Sequence, residues 1–261
     1  MKEQHVQLGL GLIGIGRPWG YRAGTVPSLG VVMELLETAL DVGIRFFDTA
    51  PSYGTSEGRL GEFLRRLGPI RLQDLTIATK FGEHWNAEQS SGYVDHSYDS
   101  LCRSLECSLR RLPKIDILQI HKATPQVLLD QGVRKALEYA RSAGIKSIGA
   151  SVSDMEAAMA AIEADEFSLI QLPFNQIRPE LEPVFLTARE HNKQLAVNRP
   201  FGEGKLVSGD AGVLGATRVE SFRFILQQHF TGVILTGTKS STHLRENMDA
   251  FNTALLEGSC Q

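Results

Sequence analysis

Short apolar runs and amphipathic segments alternate along the chain, giving eight strand–helix pairs between Leu8 and Leu255 at a spacing of roughly thirty residues. The expected strands are Leu8–Gly16, a run ending at Asp48, Leu75–Lys80, Ile115–His121, Ser147–Val152, Leu169–Phe174, Gln194–Val197 and Gly232–Leu235. The expected helices are Leu29–Val42, one capped by Ser56 and running through Leu64, Ser97–Leu112, Pro125–Gly144, Asp154–Ile162, Leu181–His191, Val219–His229 and Thr242–Leu255. Most of the strands are apolar on both faces, as expected when helices cover one side and a packed interior the other. Eight such units in 261 residues have the size and grammar of a closed (β/α)8 TIM barrel, read here as one domain over residues 1–261. An open doubly wound sheet is the competitor. Gly9, Gly11 and Gly14 do match the GxGxxG spacing, but they lie inside a strand with no helix directly behind them, so they do not form a dinucleotide fingerprint.

Reading only the C-terminal ends of the strands collects polar residues with unusual regularity. Asp48, Lys80, His121, Ser151, Asn175–Gln176, Asn198 and Gly237–Thr238–Lys239 each end an apolar run. In a barrel those ends converge on one mouth. Singly, each has an ordinary explanation: Asp48 can cap its turn, Tyr53 can be half-buried, Lys80 can be solvated, His121 can be a satisfied core histidine. Repetition favours a site. An ammonium (Lys80) paired with a carboxylate (Asp48) is expected to lower the pKa of a phenol (Tyr53) from about 10. A neutral His121 would hold a carbonyl oxygen against that phenol. Such a set transfers a proton to an oxygen as charge develops on it. With no metal-type cluster and no Cys pair, the electrons must come from a bound hydride carrier.

These stretches resemble the aldo-keto reductase family along essentially the whole chain. The resemblance is carried by Phe47-Asp48-Thr49-Ala50-Pro51-Ser52-Tyr53-Gly54, Ala78-Thr79-Lys80-Phe81-Gly82, Leu118-Gln119-Ile120-His121, Gly149-Ala150-Ser151, Asn175-Gln176, Arg199-Pro200-Phe201-Gly202, Thr236-Gly237-Thr238 and His243-Leu244-Arg245-Glu246-Asn247. It implies a barrel that reduces an aldehyde or ketone, or oxidises the alcohol, with NADP(H) preferred and NAD(H) possible. Tyr53 would be the general acid, tuned by Lys80 and Asp48, with His121 orienting the carbonyl. Ser151 and Gln176 would hold the nicotinamide carboxamide. Asn198, Arg199, Pro200, Phe201 and Gly202 would line the cofactor site. Gly237 and Thr238 would bind phosphate at the start of the last helix. Lys239, His243 and Arg245 would meet a 2′-phosphate, Asn247 would touch the adenine, and Glu246 is a further cofactor-binding candidate. Trp19, Tyr21, His84 and Trp85 are candidates for the substrate pocket. Val152 and Asn198 depart from the family pattern, where an asparagine and an aromatic are usual.

Charge and composition narrow the remaining options. A net charge of −3 gives no basic excess for nucleic acid or anionic membrane. No apolar run reaches membrane-spanning length. Three cysteines without CxxC spacing suggest reduced thiols in a cytoplasm. The expected partner is a small carbonyl or alcohol, in a monomer or homo-oligomer. Two other functions compete: a lyase using Lys80 as a Schiff-base amine, and a catalytically weak, regulatory subunit that binds the nicotinamide cofactor.

Overall fold

Strands that are apolar on both faces can be satisfied only between two covering layers, and here they curl around a shared interior. A computed structural model describes residues 5–20, 24–207 and 217–258. Its strands are β1 (Val6–Gly11), β2 (Phe46–Asp48), β3 (Thr76–Phe81), β4 (Glu83–Asn86), β5 (Ser91–Val94), β6 (Ile117–Ile120), β7 (Ser147–Ser151), β8 (Leu169–Pro173), β9 (Gln194–Asn198) and β10 (Gly232–Thr236). Eight of them close a barrel in the order β1-β10-β9-β8-β7-β6-β3-β2, every neighbouring pair being parallel. The helices are α1 (Ile13–Gly16), α2 (Leu29–Asp41), α3 (Ser56–Arg66), α4 (Pro69–Gln73), α5 (Tyr98–Arg111), α6 (Pro125–Leu129), α7 (Gln131–Ser142), α8 (Met155–Glu163), α9 (Glu182–Glu190), α10 (Arg218–Leu226) and α11 (Ser241–Gly258). This is the (β/α)8 barrel the sequence implied.

Strand periodicity sorts the side chains. Phe46, Ala78, Ile117, Leu169, Ala196 and Val233 pack with Leu235 in a small cluster of their own, apart from the larger core shared with the helices. Two residues further along five of these strands stand Asp48, Lys80, Gln119, Gln171 and Asn198. A period of two puts them on the same inward face. The barrel interior therefore changes from apolar to polar one layer below its mouth, and that polar layer is the floor of the site.

Four local expectations are corrected. β1 stops at Gly11 rather than Gly16, and Ile13–Gly16 turns helically. Ser56 is the first residue of α3 and not its cap: its hydroxyl donates to Leu12 O (3.0 Å) and meets the Thr49 hydroxyl (2.8 Å). The segment Pro125–Gly144 is two helices, because extended Asp130 breaks it and caps α7 through Val133 N. The antiparallel hairpin β4–β5 was not anticipated, its strands being too short and too polar to read as sheet. Tyr21 lies outside the described residues.

Two buried devices hold the mouth in register. Glu57, almost fully buried, accepts from Thr79 Oγ1 (2.7 Å), Ser108 Oγ (2.7 Å) and Arg111 Nη1 (2.9 Å), joining α3 to β3 and α5. Gly16 packs so tightly on the turn after β2 that a Cβ would overlap the Tyr53 carbonyl oxygen. Gly54 turns that same segment at φ +63°, a left-handed conformation that costs glycine little. Gly16→Ala should therefore cost about 1–3 kcal/mol in urea unfolding and displace Tyr53, seen as an altered near-UV circular dichroism spectrum.

Candidate active site

β2 ends in Asp48, and the chain then enters a 3-10 turn at Pro51–Tyr53 that swings the phenol back over the barrel mouth. The turn is pinned from below, Thr49 N donating to Ala78 O at 2.9 Å. From β3 next door, Lys80 points inward and is fully buried. Its Nζ donates to Asp48 Oδ1 (2.8 Å) and Oδ2 (2.6 Å), to Thr49 O (3.0 Å) and to Tyr53 Oη (3.2 Å). Gln119 Nε2 donates to Asp48 Oδ1 at 3.1 Å, further satisfying the buried carboxylate. An ammonium can only donate, so the phenolic oxygen is the acceptor in the Lys80 contact. The phenol's own hydrogen is left for an acceptor in the cleft.

Electrostatics here differ from the sequence expectation for Tyr53. Burial pushes the phenol above its ordinary value, and the positive charge of Lys80 only partly offsets this, with Asp48 and Glu83 adding to the rise. The phenol therefore remains protonated through neutral pH. Lys80 feels burial as its largest influence, which would lower it, but Asp48 and Tyr53 together carry it above its ordinary value. It stays charged and is no free amine.

His121 follows β6 and meets the Tyr53 ring edge-on, with centroids 5.9 Å apart. Burial holds its pKa well below the usual imidazole range, and the charges of Lys80, Lys122, Arg17 and His96 act in the same direction. Its Nδ1 lies 3.1 Å from Glu83 Oε2 and 3.3 Å from Ser52 Oγ, while Ser52 donates its one hydrogen to Glu83 Oε2 at 2.7 Å. Both neighbours of Nδ1 are thus acceptors, so neutral His121 carries its proton on Nδ1 and leaves Nε2 bare. A bare Nε2 accepts hydrogen bonds; it does not donate one to a carbonyl, as the sequence had suggested. Glu83 comes from β4 of the unforeseen hairpin.

These groups sit on a cleft of about 1060 Å3. Asp48, Tyr53 and His121 line it, whereas Lys80 is sealed behind them. Ser151, Asn198, Arg199, Pro200, Phe201, Gly237, Thr238, Lys239, His243 and Asn247 are on its wall, as is Trp19. Gln176, Gly202, Glu246, His84 and Trp85 are not lining residues. Gln176 falls past the end of β8, where Gln171, one inward period below Pro173, reaches the wall instead. Glu246 pairs with Arg218 at 3.0 Å, and it is Arg218 that faces the cleft. His84 stacks on Tyr93 and meets Ser100 Oγ at 3.1 Å, bracing the hairpin against α5. Trp85 lies against Arg17, itself on the wall. Gln171 was legible in principle as a lone amide within an apolar strand; Glu83 opens a short polar hairpin strand and Arg17 follows a one-turn helix, and neither carries such a signal.

The wall carries orphaned polar atoms. Gln171 Oε1, Asn198 Oδ1 and Thr236 Oγ1 are buried without a hydrogen-bond partner. Unsatisfied buried acceptors in a cleft mark where a ligand's donors fit. A carboxamide has two such donors, so the set suits a nicotinamide group.

The comparisons with known proteins agree with this geometry. The model of the Aldo/keto reductase family matches residues 7–213. The chain belongs to the aldo-keto reductase family. It is 29% identical to the aldo-keto reductase YhdN of Bacillus subtilis over 192 residues, 72% of this chain and 55% of that protein. It is 26% identical to the aldo-keto reductase yakc [NADP(+)] of Schizosaccharomyces pombe over 209 residues, 76% of this chain and 59% of the relative. The chain thus spans little more than half the length of these two. Among solved structures, PA4992 of Pseudomonas aeruginosa, assigned to the aldo-keto reductases, superposes with a TM-score of 0.79 at 27% identity, covering 95% of this chain and 90% of that one. The family is one of oxidoreductases that bind nicotinamide cofactors.

The buried pair should behave as a unit. Lys80→Met strands an unpaired carboxylate and should cost about 3–5 kcal/mol in urea unfolding; adding Asp48→Leu should recover at least about 2 kcal/mol by removing the stranded charge.

Proposed function

We propose that the protein reduces an aldehyde or ketone to the alcohol, and runs the reverse oxidation, with Tyr53 as general acid and base. One observation carries the reading: Lys80 donates to the phenolic oxygen, so the hydroxyl hydrogen is available to a carbonyl oxygen bound in the cleft. The proton leaves a phenol whose incipient negative charge is stabilised by the ammonium at 3.2 Å. Asp48 keeps that ammonium charged and aimed. A bound nicotinamide cofactor supplies or accepts the hydride.

In the same proposal, Gln171, Asn198 and Ser151 hold the carboxamide, replacing Gln176 in that role. Gly237 and Thr238 take phosphate near the start of α11, while Lys239 and Arg218 favour NADP(H) by their positive charge and His243 offers a ring N–H beside them. Asn247, buried on the wall, reaches the adenine end. The relative whose name carries NADP(+) favours the same choice. Cys102 and Cys107 are free thiols, which supports a reducing compartment such as the cytoplasm. The second reading, a catalytically weak subunit, rests only on Val152 and Asn198 standing on the cleft wall where an asparagine and an aromatic are usual in the family. A Schiff-base role for Lys80 is disfavoured by its ion pair and raised pKa.

His121 takes a modified part. With Nδ1–H held by Glu83, its bare Nε2 accepts from a bound water, while its ring bounds the oxygen site beside Tyr53 and leaves the alcohol's one hydrogen for the phenolate. Glu83 acts through His121 and is a positioning residue.

Tyr53→Phe should lower kcat by at least about a thousandfold with a simple aldehyde while NADPH affinity, read by fluorescence titration, stays within about twofold. Retained turnover would remove Tyr53 from its role. Glu83→Gln should lower kcat/KM for alcohol oxidation by roughly tenfold or more and redistribute the His121 proton, visible in nitrogen-15 NMR as a gain of Nε2–H. An unchanged imidazole spectrum would show that Glu83 does not set the tautomer.

A further inference from the structure

Arg17 follows Gly16, whose backbone rests on the Tyr53 turn and accepts from Thr55 N at 3.2 Å. Its position relative to the reacting phenol is therefore fixed by main chain. The guanidinium carbon lies 4.6 Å from the ring centre of Trp85 and 5.4 Å from that of Trp19. Both rings are within cation–π range, a contact that occupies none of the N–H donors on the guanidinium edge. That edge has no protein partner: among the described residues the guanidinium forms no ion pair and donates no hydrogen bond. Nε is sealed from solvent without an acceptor. The two terminal nitrogens are not sealed, and the residue lines the cleft.

The neighbouring charges are already committed. Arg199 and Arg218 on the same wall are paired with Glu203 and Glu246, both at 3.0 Å. Glu83, the carboxylate closest in influence, is occupied by Ser52 and His121 and is 3.9 Å from Lys122. Burial lowers the Arg17 pKa from its ordinary value, with Glu83 and Tyr53 opposing that effect. A partly desolvated cation without a counter-ion, at the acceptor end of a cleft, is best completed by an anion from the ligand.

We propose that Arg17 anchors a carboxylate on the substrate through its free guanidinium edge, so that the preferred acceptor is a carbonyl compound bearing a carboxylate group. The assignment rests on the reductase reading above for its reaction, and on the clamp alone for its ligand.

The test compares 4-carboxybenzaldehyde with benzaldehyde in the wild-type protein, Arg17→Met and Arg17→Lys, with NADPH as cofactor. The wild type should prefer the carboxylated aldehyde in kcat/KM by at least about tenfold. Arg17→Met should lower that preference about tenfold or more, through KM, and Arg17→Lys, which keeps the charge without the planar fork, should fall between. A preference equal in all three proteins would overturn the proposal. A second arm needs no turnover. Trp19 and Trp85 are the chain's only two tryptophans, so intrinsic fluorescence reports directly on the clamp. Titration with benzoate should shift that emission in the wild type, with Kd at least about tenfold weaker in Arg17→Met. Benzoate binding without aldehyde turnover would preserve the anchor and discard the reductase reading. Equal benzoate affinity in wild type and Arg17→Met would discard the anchor, leaving Arg17 as a brace between the β1 loop and the hairpin.

Discussion

The site is built on a lysine that the fold can bury only because an aspartate is buried with it. A lone ammonium in that layer would lose its proton or draw in water. With three hydrogens shared among the Asp48 carboxylate, Thr49 O and the Tyr53 oxygen, Lys80 stays charged and donates to the phenol as well as to its counter-ion. That single contact fixes the sense of the phenol's hydrogen bond. The rest of the architecture serves its geometry. β2 and β3 lie side by side in parallel register, with Asp48 opposite Ala78 and Lys80 two residues further along. Glu57 locks β3 to the helices outside it, and Gly16 lets the first loop press on the turn that carries Tyr53. Pairs of this kind are costly, and replacing one with apolar groups often raises stability. Keeping one at the barrel mouth is therefore better explained by the chemistry it permits than by stability.

Much of this was legible in the chain. Strand ends are visible because an apolar run stops at a polar residue, and a barrel brings all such ends to one rim. Asp48, Lys80 and His121 could be placed on that rim from periodicity alone, and the turn residues Pro51 and Gly54 marked where Tyr53 would swing back. What escaped was whatever depends on irregular chain or on a second inward layer. The hairpin β4–β5 is short and half-exposed, so neither alternation nor apolar content announces it, and with it went Glu83. Gln171 carries no strand-end signal, because it lies within β8, one inward period below the rim. The direction of the Tyr53 shift was misjudged for a different reason. Charges can be read from a sequence, but burial cannot, and at Tyr53 burial outweighs the neighbouring ammonium.

The resulting picture separates a shared frame from local features. The frame is the barrel, which at 27% identity superposes on PA4992 over most of both chains. Local features are set by the loops: a carboxylate that fixes the proton of His121, orphaned amide oxygens on the wall, and an arginine held between two indoles. Each acts through a hydrogen bond or charge that the frame alone does not determine, so in the proposed reaction specificity and direction are decided there.

The central claim is that the Lys80 ammonium donates to the Tyr53 oxygen and lowers the cost of ionising a deeply buried phenol. Ultraviolet difference titration of the phenolate, with Tyr53→Phe as the blank, tests it most directly in the wild type and in Lys80→Met. Tyr53 should ionise above pH 10 in the wild type and at a still higher pH once the ammonium is gone. Ionisation at the same pH in both proteins, or at a lower pH in Lys80→Met, would contradict it.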